Sequence, residues 1–193
     1  IKEIGRQKIK GVTNAGGVNP SACAAAVRKI AADAGVNLKI VAVLGDDLLA
    51  RAAEFRAAGM KEMYTGEPLP AKLMSMNAYL GAVPIAAALA EGADVVITGR
   101  AVDSAITLGP LMHEFGWRAD DLDRMAAGSL AGHIIECGAQ ATGGLFTDWE
   151  AVPGWDNIGY PVIECRADGS FVVTKPPGTG GIVTRGTVSE QLG

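Results

Sequence analysis

The sequence predicts an α/β fold, with a parallel sheet covered by helices in a Rossmann-like three-layer arrangement. Short apolar runs typical of buried strands alternate with longer segments of helical periodicity. The order β-α-β-α-loop-α-β-α favours parallel strands joined by right-handed crossovers. After residue 144 the chain turns to loops and short strands. We therefore expect an α/β core domain over 1–144, then a small extension containing a β-hairpin over 145–193, incomplete at its C-terminus.

The composition of the 193 residues narrows the classes of protein to which the chain can belong. Hydrophobic residues make up 49% of the chain and its formal net charge is −4, so it can bury a core. No cluster of Lys and Arg interleaves with aromatic residues, which argues against nucleic-acid binding. The longest apolar stretch, near 79–90, is shorter than the roughly 20 residues of a membrane span. Three widely spaced cysteines favour neither a disulfide framework nor a zinc ribbon, and we expect a cytoplasmic protein.

The first strand is predicted over 9–13 and the first helix over 20–35. Asn14, Gly16 and Gly17 lie in the loop between them, and Asn19 precedes a proline that suits the first helical turn. A glycine loop between a strand and a helix start can cradle an anion. The alternative is a tight turn with no ligand.

The second strand is predicted over 38–44, followed by a helix over 47–58. Asp46 and Asp47 stand between them. Paired carboxylates at a strand end could bind a metal or ribose hydroxyls, or simply cap the helix and supply an acid to its first turn.

An irregular segment over 59–76 is expected to form a surface loop or lid before a helix over 81–91. Asn77 and Tyr79 are polar groups in an otherwise apolar approach to that helix. They suggest ligand contacts, although a capping Asn and a Tyr at the edge of the core would explain them as well.

The third strand, over 94–98, leads into the stretch around which the chain is organised. Gly99, Arg100 and Asp103 follow the strand, and a helix that begins at Val102 is expected to break or kink at 109–110, where a proline follows a glycine. The guanidinium offers a planar fork of donors for a carboxylate or phosphate, and the carboxylate could act as a base. Alternatively Asp103 only caps the helix and Arg100 only pairs with a neighbouring acid.

A later helix, starting at Asp120 and Asp121 and running to about residue 141, carries His133, Glu136 and Cys137. Helical spacing places the histidine and the cysteine on one face, with the glutamate beside them. The first two could be base and nucleophile, or two metal ligands. We favour His133 with Glu136 for general acid–base work or polar ligand contacts.

The extension is expected to form a hairpin from strands over 161–165 and 171–174, with an Asp-Gly turn between them. Lys175 then precedes a glycine turn that includes Gly178, Thr179 and Gly180. This group could hold a phosphate or acyl oxygen, or the lysine could be solvated before a simple turn.

Six motifs in chain order together resemble the acyclic terpene utilisation AtuA-like family, whose domain is of unknown function. They are NAGGVNP at 14–20, GDDL at 45–48, NAYLG at 77–81, TGR at 98–100 with Asp103, AGH and ECGAQATGG within 131–144, and TK with GTGG within 174–181. The resemblance implies a cytoplasmic component of citronellol and geraniol breakdown through acyl-CoA intermediates. Members are longer than this chain, which implies a central piece, and a Lys-His-Pro of the family is Lys-Pro-Pro here.

These observations give two functional hypotheses. The first is a cofactor-free lyase, hydratase or isomerase that acts on a carboxylate or acyl-CoA, with CoA as part of the substrate, no metal, and Asp103, His133 and Glu136 as catalytic groups. The second is a non-catalytic ligand-binding subunit of a multi-protein acyl-CoA catabolic system. In both, a small anionic molecule is the ligand and a homo-oligomer or partner subunit is expected. Its predicted contacts are Asn14, Gly16, Gly17, Asn19, Asp46, Asp47, Asn77, Tyr79, Gly99, Arg100, Lys175, Gly178, Thr179 and Gly180.

Overall fold

A three-stranded parallel sheet lies at the centre of residues 1–102 in the computed structural model, which describes residues 1–193. Its strands are β1 (Gly11–Thr13), β2 (Ile40–Val43) and β3 (Val95–Thr98), in the order β1-β3-β2. All four residues of β3 are buried, as expected of a central parallel strand, which is covered on both faces. The predicted strands are confirmed, although all three are shorter than expected.

The helices of this unit are α1 (Lys2–Gln7), α2 (Pro20–Asp33), α3 (Ala52–Ala57) and α4 (Val83–Ala90). Small residues of α2, Ala24 and Ala31, pack against Ile40, Val95 and Ile97 in one hydrophobic cluster. The predicted second helix begins as a 3₁₀ turn, Leu49–Arg51, before α3. Helices around a parallel sheet confirm the α/β prediction, whereas the Rossmann-like three-layer arrangement stays a prediction.

Residues 103–193 form a second compact unit. It contains α5 (Ala105–Phe115), α6 (Leu122–Ile135), β4 (Val162–Cys165), β5 (Phe171–Thr174) and α7 (Arg185–Leu192). The antiparallel pair β4–β5 confirms the predicted hairpin. Asp168 shapes its turn by accepting bonds from the backbone N–H and the hydroxyl of Ser170.

The compact units divide between Val102 and Asp103, not at residue 144. The predicted domains over 1–144 and 145–193 concern independent folding and stay a prediction. No helix of the chain combines the length and the apolar character that crossing a bilayer requires.

Of the break or kink expected at 109–110, the break does not occur, since α5 is continuous and contains Pro110. Proline removes one helical hydrogen bond, but buried Leu108 and Met112 hold the helix in place by packing. Helix α6 approaches α5 through two glycines one turn apart. A methyl group on Gly128 would lie 2.6 Å from Leu108 Cδ1, and one on Gly132 would lie 2.7 Å from the backbone of Ser104.

Candidate functional site

The loop after β1 lies directly against the end of β3. Gly16 is buried, and a Cβ there would overlap the backbone oxygen of Thr98 and lie 2.6 Å from Pro20 Cβ. Gly17 has a positive φ of 52°, a conformation that glycine adopts readily. The loop is thus closed by backbone contacts that require glycine at Gly16.

Asn19 is the N-cap of α2, and its side-chain oxygen accepts a bond of 2.9 Å from the backbone N–H of Ala22. This satisfies one of the unpaired donors at the helix start. Asn14 is partly buried, and its backbone oxygen accepts a bond from Gly17. Of the polar side chains predicted for this loop, Asn19 is therefore engaged by the helix.

Asp46 links the loops that follow β2 and β3. Its side chain is almost entirely buried, at 3% exposure. Its Oδ2 accepts a bond of 3.0 Å from Asn77 Nδ2 and one of 2.8 Å from the backbone N–H of Arg100. Gly99 passes so close that a Cβ there would overlap the carboxyl group. A buried carboxylate needs such donors, and here they tie distant segments together.

The segment around residues 76–80 joins these two loops through backbone pairing. The Leu48 N–H donates to Met76 over 2.7 Å, and the Ala78 N–H donates to the backbone oxygen of Asp46 over 2.8 Å. Leu80 then pairs with the other loop, since its N–H donates to the oxygen of Arg100 over 3.0 Å. Asn77 and Tyr79 are positioned by this ladder.

The guanidinium of Arg100 is held by Tyr79. Its Nη2 donates to Tyr79 Oη over 2.6 Å, and its Cζ lies 4.9 Å from the centroid of the ring. Both residues are exposed, and the guanidinium forms none of the ion pairs in the chain. The alternative that Arg100 only neutralises a neighbouring acid is therefore wrong. A cation fixed on an aromatic ring keeps donors free for an external anion.

Asp47, the neighbour of buried Asp46, is exposed. Its Oδ1 accepts a bond of 2.9 Å from the Leu49 N–H at the start of the 3₁₀ turn. The N-cap of that turn is Leu48 and the N-cap of α3 is Arg51, so Asp47 makes a local turn bond and is not the cap of the helix. Asp47 also lines an open cavity of about 220 Å³, whose other lining residues are Val18, Leu49, Met74, Ser75 and Asn77.

In the second unit, His133 and Glu136 lie together as predicted. His133 Nε2 is 3.6 Å from Glu136 Oε1, with the histidine about half exposed and the glutamate mostly covered. The backbone oxygen of His133, near the end of α6, accepts a bond of 2.7 Å from Gln191 Nε2. The expected helix to about residue 141 is wrong, because α6 ends at Ile135. Cys137 nevertheless lies beside the same carboxylate, since its Sγ donates to Glu136 Oε1 over 3.9 Å.

Asp103 is exposed and precedes α5, whose N-cap Ser104 makes no side-chain capping bond. The close contact of Gly132 with Ser104 brings α6 to this point. Asp103 precedes Ser104 in the chain and His133 follows Gly132, so the two predicted catalytic residues flank this contact. No group of three or more His, Cys, Asp and Glu side chains converges as metal ligands would.

Lys175 is engaged within its own turn. Its Nζ donates to the backbone oxygen of Thr179 over 2.6 Å, and the Thr179 hydroxyl donates to Pro176 over 2.7 Å. Gly180 packs on the backbone of Gly154 so tightly that a Cβ would overlap it, whereas Gly178 is exposed with a positive φ of 73°. The turn that the sequence predicts as a ligand loop is packed by these contacts against the preceding loop of the same unit.

Within residues 1–102 the structure joins five predicted residues into one connected set. The connected set, which we call the strand-end cluster, consists of Asp46, Asn77, Tyr79, Gly99 and Arg100. His133 with Glu136, and Lys175 with Thr179, form separate contacts. Gln191 was missed because only its long-range bond to His133 marks it, and its Oε1 is buried without a partner.

Residues 1–192 match a protein-family model described as acyclic terpene utilisation family protein AtuA. Neither the curated proteins nor the solved structures contain a significant match to the chain.

Proposed function

Because this chain belongs to the acyclic terpene utilisation AtuA family, we propose that it is a cofactor-free lyase, hydratase or isomerase. Its substrate in this proposal is a carboxylate or an acyl-CoA intermediate, with CoA as part of the substrate. A cytoplasmic location, a Rossmann-like architecture and assembly as a homo-oligomer or with a partner subunit belong to the same proposal.

The observation that carries the proposal is the state of Arg100. Its backbone N–H is bound by buried Asp46, its guanidinium rests on Tyr79, and it has no acidic partner in the chain. Fixing a guanidinium in advance lowers the entropic cost of binding an acid group. Its planar fork can then hold a carboxylate or phosphate through two parallel bonds.

The glycine loop after β1 supports the same ligand class. It ends at the start of α2, where unpaired N–H groups and the helix dipole favour negative charge. Gly16 is needed for the close packing of the loop on Thr98, whereas Gly17 leaves the backbone beside it uncovered. Asn19 binds the backbone N–H groups of Ala22 and Cys23, and Pro20 has none, so the N–H of Ser21 is the one left in the first turn for an anion.

Proton transfer in the proposal falls to Asp103, His133 and Glu136. Imidazole and carboxylate groups are the usual general acids and bases for hydration, elimination and isomerisation. Glu136 lies beside the ring of His133 in this scheme, with its Oε1 3.6 Å from Nε2, beyond the range of a direct hydrogen bond.

Ligand binding is tested by the thermal unfolding of the chain with CoA, butyryl-CoA, a branched acyl-CoA, free dicarboxylic acids and nucleotides. A ligand at a hundred times its Kd stabilises a protein by about 2.7 kcal/mol. Stabilisation by acyl-CoAs or by free acids supports the proposal and selects substrates for assay. If none of these compounds changes the unfolding temperature, the proposed substrate class is wrong.

Catalysis is tested with Asp103→Asn and His133→Ala, and with Asp123→Asn and His113→Ala as exposed controls. We expect the first pair to lose turnover of the selected substrate while its Kd stays within about twofold of the wild-type value. The controls should keep both. Binding without turnover in the wild-type chain would favour the non-catalytic subunit instead.

A further inference from the structure

The cavity beside Asp47 presents hydrogen-bond acceptors and no positive charge. Asp47, Ser75 and Asn77 are its polar lining, and neither lysine nor arginine lines it. A carboxylate or phosphate placed there would face the carboxylate of Asp47 without a compensating cation, which is unfavourable. The acid group of a ligand therefore does not belong in this cavity.

The internal bonds of the lining residues decide which atoms remain for a ligand. Asp47 uses Oδ1 to accept from the Leu49 N–H, which leaves Oδ2. Asn77 donates Nδ2 to Asp46, and this bond orients the amide so that Oδ1 is the atom left to accept. Ser75 adds a hydroxyl that can accept or donate. Two acceptor oxygens and a hydroxyl suit a ligand group that donates hydrogen bonds.

The rest of the lining is apolar and comes from three separate segments, through Val18, Leu49 and Met74. These side chains can cover a short carbon skeleton, and methionine adapts readily to the shape of its contacts. An apolar wall with a few placed polar groups is the usual composition of a small-molecule site.

One atom, Asp46 Oδ2, accepts hydrogen bonds both from a residue that lines the cavity and from the backbone of Arg100. Asn77, which lines the cavity, and the backbone N–H of Arg100 both donate to Asp46 Oδ2. A ligand that meets both features carries an acid group for the guanidinium and a hydrogen-bond donor on its carbon skeleton for the cavity.

We propose that the cavity lined by Asp47, Ser75 and Asn77 binds a hydroxyl group of the ligand, so that the ligand is a hydroxy acid. This inference rests on the proposed function, because it takes Arg100 as the site of the acid group. The proposed function does not specify whether the substrate carries a hydroxyl group, and this inference adds that it does.

The test is calorimetric titration of the chain with butyrate, 3-hydroxybutyrate and 3-aminobutyrate. These acids share one skeleton and differ in the group at one carbon. We expect 3-hydroxybutyrate to bind about tenfold more tightly than butyrate, as a hydrogen bond to a charged acceptor predicts. In Asp47→Asn the preference should fall to about twofold or less, because the charge is lost while the amide oxygen can still accept from Leu49.

Two further variants provide a control and an independent test of the hydroxyl contact. Asp148→Asn changes another exposed aspartate that makes no capping bond, and it should retain the full preference. Ser75→Ala removes a second side chain that can bind the ligand hydroxyl. It should lower the preference for 3-hydroxybutyrate over butyrate without altering the turn that Asp47 forms. Unfolding curves of all variants show whether each one is folded.

Each other outcome has one meaning. Equal binding of butyrate and 3-hydroxybutyrate overturns this inference and leaves the proposed function standing. Tightest binding of 3-aminobutyrate also overturns it, since the cavity would then select a cation. If none of the three acids binds, the acid site at Arg100 fails, and the inference fails with it.

Discussion

Asp46 accepts the backbone N–H of Arg100 over 2.8 Å, and this bond joins the loop after β2 to the loop after β3. The same carboxylate oxygen accepts from Asn77. A buried acid thus fixes the backbone of an exposed cation whose side chain stays free of acidic partners. The two adjacent carboxylates therefore differ in role, since Asp46 is buried and joins the loops whereas Asp47 is exposed.

Replacing Asp46 by Ala should destabilise the chain by about 2–3 kcal/mol, because two buried donors lose their acceptor. Replacing Asp47 by Ala removes one exposed bond to Leu49 and should cost less than about 1 kcal/mol. Urea unfolding of both variants measures the difference. Equal losses would mean that Asp46 does not hold the strand-end cluster.

Gly132→Ala should destabilise the chain by about 1–3 kcal/mol, because the new methyl group meets the backbone of Ser104, which cannot move without shifting α5. Gly128→Ala should cost less than Gly132→Ala, since its new methyl group meets only side chains, Leu108 Cδ1 at 2.6 Å and the Trp117 ring at 3.0 Å, and alanine favours the helix. Thermal unfolding compares the two. A larger loss for Gly128→Ala would contradict this account of α5–α6 packing.

Asp94 ties the amino ends of the three strands together. Its carboxylate accepts from the backbone N–H of Lys39 over 2.8 Å and from Lys10 Nζ over 3.0 Å. The backbone bond from Lys39 and then the Lys10 ammonium hold the pKa of Asp94 below its usual value.

The folded chain therefore gains stability from the ionised form of Asp94. This gain is fully present above the unfolded pKa of about 3.9 and is lost as the pH falls through the lower folded pKa. The stability difference between wild type and Asp94→Asn should be constant near neutral pH and shrink below about pH 4. Urea unfolding at several pH values measures it, and a difference that does not change with pH would contradict the assignment.

Tyr79 should act by positioning Arg100. Tyr79→Phe keeps the ring under the guanidinium but loses the bond to Oη, and should weaken binding of an acid by roughly threefold. Tyr79→Leu loses both contacts and should weaken it by roughly tenfold. Tyr64→Leu, at a residue of the same unit that is 86% exposed, is the control. Unchanged affinity in Tyr79→Leu would show that Arg100 needs no such support.

The strands and most helices follow from the sequence because they depend on local patterns. Apolar runs give β2 and β3, and the Asn-Pro signal gives the start of α2. The end of α6 could also have been predicted from the glycine at position 138, because helices commonly stop near a glycine with positive φ. In the structure Gly138 has a φ of 58°. The prediction instead continued the helix to place Cys137 beside His133.

The division of roles within the candidate site could not be predicted from the sequence. Asp46 and Asp47 are adjacent and of one residue type, and only contacts with residues 31 and 54 positions away distinguish them. The spacing of Gly128 and Gly132 indicates a close helix contact, but it does not identify α5 as the partner. The pairing of Lys175 with Thr179 depends likewise on the conformation of one turn.

The most direct test of the account is calorimetric titration of wild type, Arg100→Gln and Arg118→Gln with the acid or acyl-CoA that stabilises the chain most. Arg118 is an exposed arginine paired with Asp120 on the surface, so its variant controls for the loss of one positive charge. The account predicts that Arg100→Gln loses at least about tenfold in affinity, the cost of a charge-assisted bond, and that Arg118→Gln binds as the wild type does. Equal affinity in all three proteins would contradict the claim that Arg100 receives the acid group of the substrate.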